Sequence, residues 1–167
     1  MKKAVLVIGQ GFEDSEFFYP FYRLQEADFT VDVAIAGDKP ITGKYGMPAS
    51  PTVECSQLNA RNYDALVVPG GHEGPDRVRQ VRSVLDFVHE MNELQKPIAT
   101  ICHGPWVLIS AGVVKGRKMT CYVGMKDDLI NAGAEYVDKD IVVDGNIVSS
   151  PHFRNNHQWM HAYVAVF

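Results

Sequence analysis

The sequence predicts an α/β fold, a three-layer α/β/α sandwich with a mostly parallel sheet covered by helices on both faces. Three observations predict it. Short runs rich in Val, Ile and Ala, bounded by Gly or Pro, recur along the chain and read as strands buried on both faces. Between them lie segments of helical apolar spacing, and strands alternating with helices imply parallel strands joined by crossovers. Finally, the apolar run Ile98–Ile101 passes through Cys102 directly into an apolar helical stretch. That strand-to-helix bend, a nucleophile elbow, lifts one side chain above a sheet edge.

Residues 4–9 form the first predicted strand. The Met-Lys-Lys start superficially resembles a secretion signal, but the apolar run is short and leads into Gln-Gly-Phe-Glu-Asp without a small-residue cleavage pattern. A helix is expected over 14–27, with Phe17, Phe21 and Leu24 inward and Asp14, Ser15 and Glu16 supplying caps and acid in its first turn. Residues 30–36 are the second strand. Residues 40–55 carry Gly43, Gly46, Pro48 and Pro51 among extended residues and predict a small excursion or hairpin. Ala65–Val68 is the third strand, ending in Pro69-Gly70-Gly71. Ser83 reads as the cap of a helix to about 95, with Leu85, Val88 and Met91 inward. Ile98–Ile101 is the fourth strand, and its helix runs to about 111 with Gly112 as C-cap. A hairpin around Asp144-Gly145-Asn146 and a last helix over 156–166 complete the reading. One domain, 1–167, is expected, without repeats or linkers.

Composition narrows the function. With 46% hydrophobic and 22% charged residues the chain is ordinary for a globular protein. A net charge of −4 leaves no basic surplus for nucleic acid or an anionic membrane. No apolar stretch approaches the roughly 20 residues that span a bilayer. The three cysteines, Cys55, Cys102 and Cys121, form no close pair and no ligand grouping, so neither a disulfide framework nor a metal site is expected, and a reducing cytoplasm is.

Ligands of such sheets bind beyond the carboxyl ends of the strands. Three strand ends carry unusual residues: 11–16, 70–76 and Cys102-His103. A thiol nucleophile needs ionisation, a partner that moves a proton and N–H groups for developing negative charge. The helix after Cys102 is expected to lower the thiol pKa, with Gly104 permitting the tight turn; the competing reading is a core cysteine. Glu13 and Glu16 are candidate carboxyls, one of them kept protonated by burial and by the thiolate, or else plain first-turn helix acids. Gly70 and Gly71 either bring backbone amides to a substrate oxygen or merely end a strand. His103 is the base by type, with Asp76 as its orienting acid or a solvated helix-start aspartate. His157 and His161, spaced i, i+4, lack a third ligand and read as surface; His72, His89 and His152 carry no pattern. Trp106 and the Phe17, Phe18, Tyr19, Tyr22 cluster read as core or subunit contact.

Six motifs, Glu13-Asp-x-Glu16-x-x-Tyr19-Pro20, Ile41-Thr-Gly-Lys-x-Gly46, Asp64-Ala-Leu-Val-x-Pro-Gly-Gly71, Ile101-Cys-His-Gly-Pro105, Leu108-Ile-Ser-Ala-Gly-Val113 and Lys126-Asp-Asp-x-Ile-Asn-Ala-Gly133, together resemble the PfpI branch of the ThiJ/PfpI superfamily, related to class I glutamine amidotransferase domains. The resemblance implies a flavodoxin-like sheet, Cys102 as elbow nucleophile, Glu16 against the thiol, Glu13 at a nearby acidic position, and the Gly71 amide with an N–H near His103 as anion pocket. It implies cofactor-free chemistry on reactive carbonyls, glyoxalase- or deglycase-like, or on peptide and amide bonds. It also implies self-association into dimers or hexamers, with the acid that orients the histidine, a glutamate in the family, coming from a neighbouring subunit. Asp76 stands at that place, one methylene shorter; His72-Glu73-Gly74 and residues 151–156 also depart from the pattern. The alternative is an oxidative-stress sensor in which Cys102 oxidises to a sulfinate held by Glu16.

Overall fold

The computed structural model describes residues 1–167. Strands β1 (Lys2–Ile8), β2 (Phe29–Ile35), β5 (Ala65–Val68), β6 (Ile98–Ile101), β9 (Val142–Asp144) and β10 (Ile147–Ser150) form one sheet in the order β2-β1-β5-β6-β10-β9. All neighbours run parallel except the last pair, because the tight turn between β9 and β10 reverses the chain. The predicted hairpin therefore supplies the last two strands, β10 parallel to β6 and β9 as the antiparallel edge.

Alternation along the strands divides the core into two layers. Ala4, Leu6 and Ile8 of β1 face helices α1 (Asp14–Glu26) and α6 (Asn156–Val164), through Phe17, Leu24, Trp159 and Tyr163. Val5 and Val7 face the other side, with α3 (Arg82–Glu93), α4 (Pro105–Ser110) and α5 (Lys126–Asn131). Each fully buried Leu, Ile or Phe is worth about 1.5–3 kcal/mol of transfer free energy, so this two-sided burial holds the sheet edge in place beneath the site.

The 40–55 excursion pairs β3 (Ile41–Thr42) with β4 (Pro48–Ala49). Asp14 pins it, accepting the amides of Tyr45 at 3.0 Å and Met47 at 2.9 Å. Several local expectations are corrected. The N-cap of α1 is Glu13, whose carboxylate accepts the Glu16 amide at 2.9 Å. Ser83 lies inside α3, whose N-cap is Val81. Residues 73–78 form a short helix, α2 (Glu73–Val78); this helix, α5 and the small pair β7 (Lys118–Met119) with β8 (Glu135–Tyr136) were not anticipated. No helix is long and apolar enough to cross a membrane.

Candidate active site

The ends of β1, β5 and β6 do converge. Cys102 adopts φ +58°, the left-handed region that a residue with a side chain avoids, at about 1–2 kcal/mol. Gly104 permits the tight turn without an unusual dihedral of its own, being right-handed at φ −50°. Its lack of a side chain serves close approach instead, since a Cβ there would meet the Val68 carbonyl and lie 2.5 Å from Thr100 Oγ1. The bend is fixed by Cys102 N–H donating to the Ser150 carbonyl at 3.0 Å and its own carbonyl accepting from Tyr122 N–H at 2.9 Å.

Glu16 lies against the cysteine, fully buried. Its Oε2 accepts the Gly70 amide at 2.7 Å, while Oε1 is buried without a hydrogen-bond partner. Gly70 sits between the two groups, for a Cβ on it would meet Glu16 Oε2 and come 2.6 Å from Cys102 Cβ. Burial, and then the neighbouring charge of Glu13, push the Glu16 carboxyl up to about 8, although the Gly70 amide and the Lys44 ammonium pull it down. The carboxyl is therefore protonated at neutral pH.

The expected lowering of the Cys102 thiol pKa is reversed. Cys102 is 8% exposed, and burial, then the charge of Glu16 when ionised, push the thiol up. The backbone amides of Gly71 and His103 oppose that rise. These are the two N–H groups that the resemblance implied for an anion pocket. Gly71, at φ +82°, is held where a Cβ would run into the Glu13 amide and the Gly11 carbonyl.

His103 Nδ1 lies 3.3 Å from Cys102 Sγ, so the imidazole does reach the thiol. Burial, then the charges of His72 and Lys44, bring it down to about 4, which leaves it neutral at pH 7. Its ring packs between Trp106 and Tyr122, at centroid distances of 4.9 and 4.8 Å. Asp76 makes no bond to it within the chain; the Asp76 side chain is exposed and takes Gln80 Nε2 at 3.4 Å. Trp106 packs half-buried against the core, and its indole N–H donates to Asp128 at 3.0 Å.

Glu13 accepts the Ser15 hydroxyl at 2.6 Å as well as the Glu16 amide, so it caps α1 while lining the site. The resulting cleft is about 370 Å³ and is lined by Glu13, Glu16, Gly71, Cys102 and His103. Lys44, Tyr122, His152 and Phe153 line it too, and sequence reasoning assigned none of them. Lys44 stood in a quoted motif without a role, and His152 in a segment noted only as divergent. No group of three His, Cys, Asp or Glu side chains is placed to hold a metal ion; His157 and His161 are exposed.

A doubly wound α/β sheet carrying a strained cysteine elbow against a buried acid defines the class of protein. The comparisons give the particular family. A family model described as the DJ-1/PfpI family matches residues 2–166, and the chain belongs to that family. It is 44% identical over 162 residues, 97% of each chain, to the protein named Deglycase PfpI of Pyrococcus furiosus. It is 38% identical over 150 residues, 89% of this chain and 88% of the other, to the Putative cysteine protease YraA of Bacillus subtilis. Among solved structures, Drosophila melanogaster DJ-1beta superposes with a TM-score of 0.92 at 28% identity, over 99% of this chain and 89% of that one. A two-domain protein of Anabaena variabilis with DJ-1/ThiJ/PfpI-like and ferritin-like domains gives 0.96 at 33% identity; the chain covers 99% of itself but 48% of that protein.

Proposed function

We propose that the protein is a cofactor-free enzyme of deglycase type, acting through Cys102 on α-oxoaldehydes such as methylglyoxal and on their early adducts. The observation that carries this reading is the protonated Glu16 packed against Cys102 at the floor of a cleft; the names of relatives such as Deglycase PfpI support it. As sulfur attacks the aldehyde carbon, the C–S bond forms, the C=O π bond breaks, and the thiol proton passes to neutral His103 Nδ1. Glu16 gives its proton to the new oxyanion and is left as a carboxylate, the form able to act as a base. It takes the C1 proton and returns it at C2 while the hydroxyl proton on O1 passes to O2, which turns the hemithioacetal into a thioester of lactate. Water then attacks the thioester, one proton going to Glu16, while His103 returns its proton to the departing sulfur. The products are lactate and the starting enzyme. The Gly71 and His103 amides serve developing negative charge throughout.

The activated carbonyl is favoured over an amide bond because His103 is neutral and lacks a carboxylate bond within its own chain. The test is lactate formation from methylglyoxal by wild type, Cys102→Ser and Glu16→Gln. Turnover lost in Cys102→Ser supports the reading. No turnover by wild type, with peroxide converting Cys102 alone to a sulfinate, would replace it with the sensor.

A further inference from the structure

The cysteine cleft, about 370 Å³, is larger than a three-carbon oxoaldehyde fills. Lys44 is the one lysine or arginine that lines it, and the mechanism leaves it without a task. The loop that carries it is built in place. Lys44 N–H donates to the Phe12 carbonyl at 2.9 Å, and Gly11 N–H donates to the Thr42 carbonyl at 3.0 Å. Asp14 holds the Tyr45 and Met47 amides, and a Cβ on Gly43 would come 2.5 Å from the Asp14 carboxyl carbon. A lysine on an exposed loop is usually a solvated charge, but this one is anchored by the segment that supplies Glu13 and Glu16. Its ammonium takes part in none of the chain's ion pairs and lies over the Tyr45 ring at 5.0 Å. The Glu13 carboxylate, which shares the cleft, is met instead by the Ser15 hydroxyl and the Glu16 amide. Tuning of the catalytic groups does not account for Lys44 either. Its charge lowers the Glu16 and Cys102 values, but less than burial and the facing carboxyls raise them.

We propose that Lys44 selects α-oxoaldehydes that carry a carboxylate on a short tail, binding that carboxylate at the cleft rim while the aldehyde carbon meets Cys102. A lone ammonium suits a singly charged carboxylate; a phosphate would call for further cations or a bidentate arginine. The chain as a whole carries a net charge of −4 and repels anions at a distance, so a preference for one has to arise locally. The inference rests on the carbonyl reading and names the substrate class within it. The chemistry is unchanged. The aldehyde carbon is oxidised and the ketone carbon reduced, one water is consumed and one proton released, and a 2-hydroxy dicarboxylate leaves in place of lactate.

The probes are 4,5-dioxopentanoate and its methyl ester, which share the reacting carbons and differ in charge. The 2-hydroxy acid formed from each is measured by mass spectrometry. The readout is the ratio of the two kcat/KM values, which cancels whatever a variant does to Glu16 itself. Wild type is expected to favour the anion about fivefold, and less at high salt. Lys44→Gln should bring the ratio to about one or below, while Lys44→Arg keeps it near that of wild type. A wild-type ratio of about one or less, a preference that Lys44→Gln leaves intact, or one lost equally in Lys44→Arg would overturn the inference while methylglyoxal turnover stands. Absence of turnover of any oxoaldehyde by wild type would instead strike the carbonyl reading on which it rests.

Discussion

The two edges of the central sheet bury polar groups in opposite ways. At the edge where β5 and β6 begin, they are satisfied. Tyr163 Oη donates to the carbonyls of Leu66 and Pro97, both at 2.9 Å. Lys96 Nζ meets the carbonyls of Ala60 and Tyr63, at 2.7 and 2.5 Å. Asn146 Nδ2 donates to the Lys96 carbonyl at 3.0 Å. At the edge where the same strands end, Glu16 Oε1 and Thr100 Oγ1 are buried without partners, and Cys102 sits in a strained backbone conformation. A buried polar atom without a partner costs about 1–3 kcal/mol. One edge stabilises the fold, and the other spends part of that stability to keep an acid protonated beside a sulfur.

Substitutions at the two edges should therefore separate activity from stability. The largest effect is expected from Cys102→Ser, which should lower methylglyoxal turnover by at least about a thousandfold, measured as lactate. Next, Glu16→Gln should lower kcat by about 10²–10⁴, since an amide cannot shuttle the C1 proton. The same variant reads the stability cost. The folded-state pKa of Glu16 lies above its unfolded value of 4.5, so its contribution is fully present below 4.5 and is lost as pH rises to about 8. Wild-type unfolding free energy should fall across that window by an amount on the order of a few kcal/mol, and chemical denaturation of Glu16→Gln should show that slope removed.

Smaller effects sharpen the contrast. Gly70→Ala places a methyl between Glu16 and Cys102 and should cost about 1–3 kcal/mol of stability while slowing turnover. At the other edge, Tyr163→Phe removes the hydroxyl from the carbonyls of Leu66 and Pro97, the latter still accepting the Leu66 amide at 3.1 Å, and should cost about 0.5–1.5 kcal/mol, yet leave kcat/KM for methylglyoxal unchanged. Equal losses of activity at both edges would dissolve the comparison.

The sheet was legible in the sequence because β1, β5 and β6 are continuous apolar runs that end at Gly or at the elbow cysteine. Short helices were not. The six residues of α2 contain Gly74 and Pro75, both poor helix formers that hide it, yet packing of Val78 into the core overrides that local preference. Ser83 looked like a cap, but the helix begins two residues earlier than that cap implies, because Val81 takes the extended conformation that precedes it. The sequence brought Cys102, Glu16, Gly70 and Gly71 to one edge through the strand-end rule. It missed Lys44, Tyr122 and His152, which arrive from loops whose paths no periodicity encodes. It also reversed the sign of the thiol's shift, since a helix terminus is visible in a pattern whereas the depth of burial that outweighs it is not.

The central claim is that Glu16 holds its proton beside Cys102 at neutral pH. Infrared difference spectroscopy of wild type against Glu16→Gln, titrated from pH 4 to 10, tests it most directly. The account predicts a protonated-carboxyl band that persists at pH 7 and disappears through about 8. A band already lost near the ordinary glutamate value, roughly 4.3, would contradict it.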